Sequence, residues 1–229
     1  MTSEPVRAGA DWLARREPAD AAARSTELVE LLRPHLPARS LTIHDLGCGT
    51  GSMARWLAVR LPGPQHWVLH DRDAELLARA GTGLPRAAED GSPITAETRR
   101  DDISRLGPDP LRGAALVTAS ALLDMLTRGE LERLVETCAS AGCPVLITLS
   151  VAGRAELAPA DPLDERVMAA FNAHQRRDRG DGPLLGPDAA SAAVTAFERR
   201  GLDVTVRPSP WQLGPDQGAL AAEWFTGWL

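Results

Sequence analysis

Residues 43–58 read IHDLGCGTGSMARWLA, with glycines at 47, 49 and 51 behind an acid and ahead of an apolar-periodic run. Glycine tolerates positive φ and leaves no Cβ between the backbone and a ligand. A bare loop at a strand-to-helix junction is where open α/β sheets bind ligands, outside the carboxyl end of the strand. In a dinucleotide fingerprint the third glycine falls three residues after the second. Ser52 stands there instead, and the third glycine comes one residue early. The loop also has no lysine and lacks the Gly-Lys-Ser/Thr ending of a phosphate cradle.

Outward from this loop the chain alternates between two periodicities. LTIHDLG (41–47) is a short apolar strand, and SMARWLAVRL (52–61) is a helix stopped by Pro62 and Gly63. QHWVLHDRD (65–73) is a second strand ending on acids, followed by the helix AELLARA (74–80). A looser segment leads to ITAETRRDDI (94–103), a half-polar strand suited to a sheet edge, and GAALVTAS (113–120) is the fourth strand. RGELERLVETCASAG (128–142) is a helix with a glycine stop. PVLITLSV (144–151), the most continuously apolar strand, reads as covered on both faces. Five strands alternating with helices over 41–151 predict a Rossmann-like, doubly wound, mostly parallel α/β sheet with helices on both faces.

The flanks follow other patterns. Residues 11–36 read as two helical pieces interrupted at Pro18. After residue 151 come a helix (161–177), a glycine-rich loop (178–187), a second helix (188–201), a sixth strand LDVTVRPSPW (202–211) and a helical tail (215–229). No seventh strand is apparent. The expected organisation is one domain, 1–229. It comprises an N-terminal helical cap (1–38), a ligand-binding core (41–151), a helical insertion after strand 5 (152–187) and a closing helix, strand and helix (188–229).

Asp45-Leu46-Gly47-Cys48-Gly49-Thr50-Gly51 resembles the first motif of the class I S-adenosylmethionine-dependent methyltransferases. The resemblance continues at Asp71, ending the second strand, and at Asp102-Ile103, after the third. VTASALLDML (117–126) is similar to the family's fourth strand and the loop beside the methyl group. It spans about residues 41–151 and implies S-adenosyl-L-methionine as cofactor. By that likeness the backbone of Gly47, Cys48 and Gly49 meets the methionine part, and Asp45 orients the loop or holds the methionine ammonium. Asp71 takes the ribose, Arg72 lies over the adenine, Asp102 reaches the adenine amine, and Ile103 packs on its ring. Ala119 and Ser120 contribute backbone near the sulfonium. Arg16 and Arg24 share a face of the preceding helical segment if it is continuous. Arg24 is the preferred partner of the methionine carboxylate.

Methyl transfer is an in-line displacement in which the cofactor carries the reactive group, so a dedicated base is optional. The fourth-strand loop lacks the Asn/Asp-Pro-Pro-aromatic sequence of methyltransferases acting on amide or exocyclic nitrogens, and it has no Pro-Cys nucleophile. Two groups are candidates for catalysis. His174 ends an otherwise apolar stripe of Val167, Phe171, His174 and Asp178. It could take a proton from a hydroxyl or amine, or simply pack or cap. Asp124, after the fourth strand, could bind a substrate cation, act as base, or only start a helix. His44 and His70 read as structural, and Trp211, Trp224 and Trp228 read as packing.

The chain has 229 residues and a formal charge of −6, with no excess basic field for a nucleic acid. Neither a signal-peptide core nor a long apolar run is present, so the expectation is a cytoplasmic protein with no membrane partner. Cys48, Cys138 and Cys143 are odd in number and lack a zinc-site spacing, which predicts reduced thiols and no metal. These bounds favour a methyltransferase acting on oxygen or nitrogen of a small-molecule acceptor. A non-catalytic cofactor-binding or regulatory subunit is the alternative. The absent seventh strand motivates it and has three readings, a truncated sequence, a degenerate protein or an edge covered by another chain, as in a homodimer. Aminopropyl transfer is a third use of the same pocket, although no acid-rich polyamine site is apparent.

Overall fold

The computed structural model describes residues 8–180 and 182–227. Five strands, β1 (Leu41–Leu46), β2 (Gln65–Asp71), β3 (Ile94–Arg100), β4 (Leu116–Ser120) and β5 (Val145–Thr148), form one parallel sheet in the order β3-β2-β1-β4-β5. The helices described are α1 (Ala10–Ala23), α2 (Thr26–Leu32), α3 (Ser52–Ala58), α4 (Ala74–Thr82), α5 (Arg128–Ala141), α6 (Asp164–Gln175), α7 (Ala189–Glu198) and α8 (Gly218–Thr226).

Strand alternation divides the core into two layers. On one face Ile43, Trp67 and Leu69 pack with Val29 of α2, Leu57 of α3 and Leu77 of α4. On the other, Leu46, Val117 and Ala119 pack with Leu134 of α5 and Phe197 of α7. This is the doubly wound arrangement expected, with half-polar β3 at an edge. Local chemistry fixes the boundaries of α5. Thr127 and Glu130 close a reciprocal capping box at its start, and Gly142 takes the left-handed conformation at its end.

Three expectations need correction. Pro18 does not interrupt the first helix: α1 runs through it. The ion pair of Arg16 with Asp20, 2.8 Å, spans the proline, and packing holds the helix on both sides. The break falls at Arg24, which is extended at φ −63° and ψ 132°, and Ser25 then caps α2 by accepting from the Leu28 amide. Residues 202–211 are not a sixth strand. Pro208 and Pro210 remove ladder donors, and Arg207 instead binds the Glu27 carboxylate of α2 at 2.7 and 2.8 Å. β5 is therefore the edge strand of the described sheet, yet it is covered on both faces as expected, with Leu146 in one layer and Val145 and Ile147 packed against the other. Finally, Asp178 does not extend the stripe of α6, which ends at Gln175. Its carboxylate accepts from the amides of Gly180 and Gly182, organising the loop beyond.

No helix among the described residues is long and apolar enough to cross a membrane. Trp228 lies outside the described residues.

Candidate functional site

The site is built at the carboxyl ends of β1, β2 and β4. Gly47, Gly49 and Gly51 all have positive φ, at +66°, +54° and +83°, as the turn from β1 into α3 requires. The Cys48 amide donates to the His70 carbonyl at 2.9 Å, and the Gly49 amide donates to Oδ2 of Asp71 at 2.8 Å, docking the loop on the end of β2. No Cβ would fit easily. One at Gly47 would lie 3.1 Å from Leu122 and 3.6 Å from Ile103, and one at Gly49 would lie 3.2 Å from Leu13 of α1. Burial pushes the Cys48 thiol far above its ordinary range, so this residue offers backbone and not a nucleophile.

Beside the loop lie a buried acid and a buried base, each incompletely partnered. Asp45 is fully buried, and its Oδ1 accepts from the Thr118 hydroxyl at 2.7 Å while Oδ2 has no partner among the described residues. Burial pushes its carboxyl up to about 7, opposed by the Thr118 hydrogen bond and by Arg24. Arg24 is 4% exposed. One terminal nitrogen donates to Ser52 Oγ at 3.1 Å and to Ser120 Oγ at 3.2 Å, and Nε and Nη1 are buried without partners among the described residues. Its guanidinium lies 5.7 Å from the Trp56 ring centre, and the Thr148 hydroxyl braces Ser120 at 3.1 Å. Burial lowers the affinity of Arg24 for its proton, and Asp20, Asp45 and Glu17 oppose that shift.

The remaining acids line the ends of β2 and β3. Asp71 is half-buried, its Oδ1 accepting from the Asp73 amide at 2.9 Å. Arg72 is exposed. Asp102 is exposed and caps the 3₁₀ turn Ile103–Arg105 by accepting from the Ser104 amide at 3.1 Å and hydroxyl at 2.7 Å. Ile103 turns back towards Gly47. Thus Arg24, Asp45, the glycine loop, Asp71, Ile103 and Ser120 converge, with buried Ala119 beneath Ser120 in β4.

Helix α1 covers the loop from outside. Arg55 binds the Glu17 carboxylate through two hydrogen bonds, 2.7 and 2.6 Å, and also donates to the Thr50 carbonyl. Asp20 joins α1 to the C-terminal segment by accepting from Trp211 Nε1 at 2.9 Å, and the Trp12 and Trp211 ring centres are 6.4 Å apart. Asp124, in the 3₁₀ turn Leu123–Met125, is buried. Burial pushes its carboxyl up, opposed by a hydrogen bond from its own backbone amide and by the Arg16 charge. The insertion after β5 reaches this turn through Arg179, which donates to the Met125 carbonyl at 3.1 Å. His174 is exposed, and its ring has no hydrogen bond or ion pair among the described residues.

Thr118, Ser52, Trp56 and Thr148 complete the site without having been singled out in the sequence. Thr118 and Thr148 leave a trace there, each as a polar residue inside an apolar strand.

Residues 43–144 match a family model described as a methyltransferase domain. No curated protein matches the chain. Among solved structures, the chain is similar to a possible exported protein from Bordetella parapertussis, at 20% identity over 86% of this chain and 65% of that one, TM-score 0.51. It is also similar to a SAM-dependent methyltransferase from Methanosarcina mazei, at 14% identity over 77% of this chain and 85% of that one, TM-score 0.51. A SAM-dependent methyltransferase from Leishmania major is 17% identical with a TM-score of 0.46 over 61% of this chain, and the alignment spans 52% of that protein's length. The two alignments with TM-score 0.51 establish a shared fold.

Proposed function

We propose, from the premise that residues 43–144 belong to the class I S-adenosylmethionine-dependent methyltransferases, that the protein transfers a methyl group to an oxygen or nitrogen of a small-molecule acceptor. One observation carries this reading. A buried guanidinium with two free donors and a buried carboxylate with one free acceptor flank the same glycine loop. Buried polar groups are nearly always hydrogen-bonded, so orphans of opposite sign describe a missing zwitterion. The methionine end of S-adenosylmethionine is one, its carboxylate answering Arg24 and its ammonium Asp45.

The cofactor supplies an activated methyl group on a sulfonium. The chain's own residues bind, orient and exclude water. Backbone at Gly47, Cys48 and Gly49 admits the amino-acid part, and Asp71 retains acceptor capacity for ribose hydroxyls beyond its two amide bonds. Arg72, Asp102 and Ile103 are assigned to the adenine, and Ala119 and Ser120 to the sulfonium side. On the acceptor side we assign Asp124 as the group that holds a substrate cation or accepts its proton. His174 would serve only if α6 moved its exposed ring inward.

We treat 1–229 as one domain, with 1–38 and 152–187 closing over the 41–151 core. The net charge of −6 supports a small acceptor, in the cytoplasm, over a nucleic acid. Calorimetric titration with S-adenosylmethionine and S-adenosylhomocysteine, with NAD as control, tests the pocket. Micromolar binding of the first two alone is expected, followed by turnover of hydroxyl or amine acceptors; binding of NAD, or of none of the three, overturns the reading. The second reading, a non-catalytic subunit, draws on the edge strand β5, which has no outer neighbour in the sheet among the described residues. Cofactor binding without transfer to any acceptor, together with a dimer in solution, would favour it.

A further inference from the structure

On the sheet face opposite Asp45, three side chains form one hydrogen-bonded chain across β1, β2 and the end of β3. His44 Nδ1 lies 2.9 Å from His70 Nε2, and His70 Nδ1 lies 2.8 Å from Asp101 Oδ2. His44 is 3% exposed and His70 fully buried, while the Asp101 side chain is 37% exposed. The donors follow from the acceptor-only carboxylate. His70 carries its proton on Nδ1 and donates to Asp101, so its bare Nε2 accepts from His44 Nδ1–H.

Each member is the immediate neighbour of a residue assigned to the cofactor: His44 of Asp45, His70 of Asp71, and Asp101 of Asp102. His70 also receives the Cys48 amide on its carbonyl, and the Asp101 amide donates to the Asp71 carbonyl at 3.1 Å. Pairing of β3 with β2 ends at Arg100. Asp101 is therefore the last tie before the chain enters the turn that carries Asp102 and Ile103. Successive residues of an extended chain point to opposite faces, so anchoring the Asp101 carboxylate on the histidine side directs Asp102 to the other. Ile103 then lies against Gly47. Two apolar side chains would fill the same space without burying polar rings, so packing alone does not account for the pair.

We propose that the His44–His70–Asp101 chain is a positioning device that sets the adenine-side wall, Asp102 and Ile103, against the glycine loop. His70 and Asp101 thereby tune nucleotide affinity without touching the nucleotide. The inference rests on the cofactor reading above.

The test is titration of the full chain with S-adenosylhomocysteine, with melting temperatures alongside. His70→Asn keeps an N–H where Nδ1 stood and preserves the Asp101 link; His70→Gln places its amide near the Nε2 position and loses that link. Both should lower the melting temperature similarly. Kd should rise roughly tenfold, the effect of about one hydrogen bond, in His70→Gln and stay near wild type in His70→Asn. Asp101→Ala, near the surface and expected to fold, should weaken binding like His70→Gln. Imidazole ¹⁵N spectra of the wild type should show both rings protonated on Nδ1. Equal affinities for the wild type, His70→Gln and Asp101→Ala, or the opposite tautomer at His70, overturn the inference. A wild-type protein that binds no S-adenosylhomocysteine overturns the cofactor reading instead.

Discussion

The Thr118 hydroxyl donates to Oδ1 of Asp45 at 2.7 Å and leaves Oδ2 buried without a partner. Burial pushes this carboxyl up to about 7, well above the ordinary carboxylate range. The folded state therefore keeps a proton that the unfolded chain releases. Its contribution to stability is complete at the acid end of that window and is lost as pH rises through it. Asp45→Asn should melt with the wild type near pH 4 and become more stable than it, by a few kcal/mol, above pH 7. A difference that does not change with pH would show that Asp45 does not titrate there. Pairing with an ammonium requires the ionised carboxylate. Cofactor binding at pH 6 should therefore release up to about one proton, and much less at pH 8, read from calorimetry in buffers of different ionisation enthalpy.

Arg24 tests the other half of the zwitterion. Arg24→Gln removes the two unpartnered donors, and charge-assisted hydrogen bonds contribute about 1.5–3 kcal/mol each. Affinity for S-adenosylhomocysteine should fall at least tenfold, while 5′-methylthioadenosine, which lacks the amino acid, should bind as to the wild type. Equal losses for both ligands would mean that Arg24 acts on the pocket as a whole.

Asp71→Ala should weaken cofactor binding by a few kcal/mol. The carboxylate accepts from the amides of Gly49 and Asp73 in addition to its assigned ribose hydroxyls. Removing it therefore loosens the loop as well as the nucleotide contact. Asp71→Asn, which keeps one acceptor oxygen, should lose less. Unchanged affinity in a folded Asp71→Ala protein would count against the pocket.

The parts legible in the sequence were those whose chemistry is local. A glycine triplet behind an acid, and acids at strand ends, declare themselves within a few residues, and short apolar or half-polar runs between helical segments locate all five strands. Errors arose where distant contacts overrode local preference. Pro18 stays inside α1 because Leu13 and Glu17 pack that helix on the glycine loop. Val204 and Val206 alternate as a strand would, yet their segment is fixed by Arg207 on Glu27 and makes no ladder. Thr118 becomes a site residue only when β4 meets Asp45 of β1, and Ser52 and Trp56 only when α3 meets Arg24, meetings that no spacing along the chain encodes.

Asp124 and His174 are two candidate bases that the structure treats differently. Asp124 is buried in the turn after β4, beside Leu122, which lies against Gly47, and burial pushes its carboxyl above the ordinary range. A raised carboxyl is a better base near neutrality and holds a cationic acceptor strongly when ionised. His174 is exposed. Asp124→Asn should leave S-adenosylhomocysteine affinity within about twofold and lower kcat by roughly 10²–10⁴, the range for a lost acid–base group. The wild-type kcat should fall on the acid side with a midpoint above that of an ordinary carboxylate, because the base must be unprotonated, and Asp124→Asn should lose that limb. His174→Ala should leave both parameters near wild type. Loss of cofactor affinity in Asp124→Asn would move Asp124 to the cofactor side of the site, and a large kcat defect in His174→Ala would show that α6 closes inward during turnover.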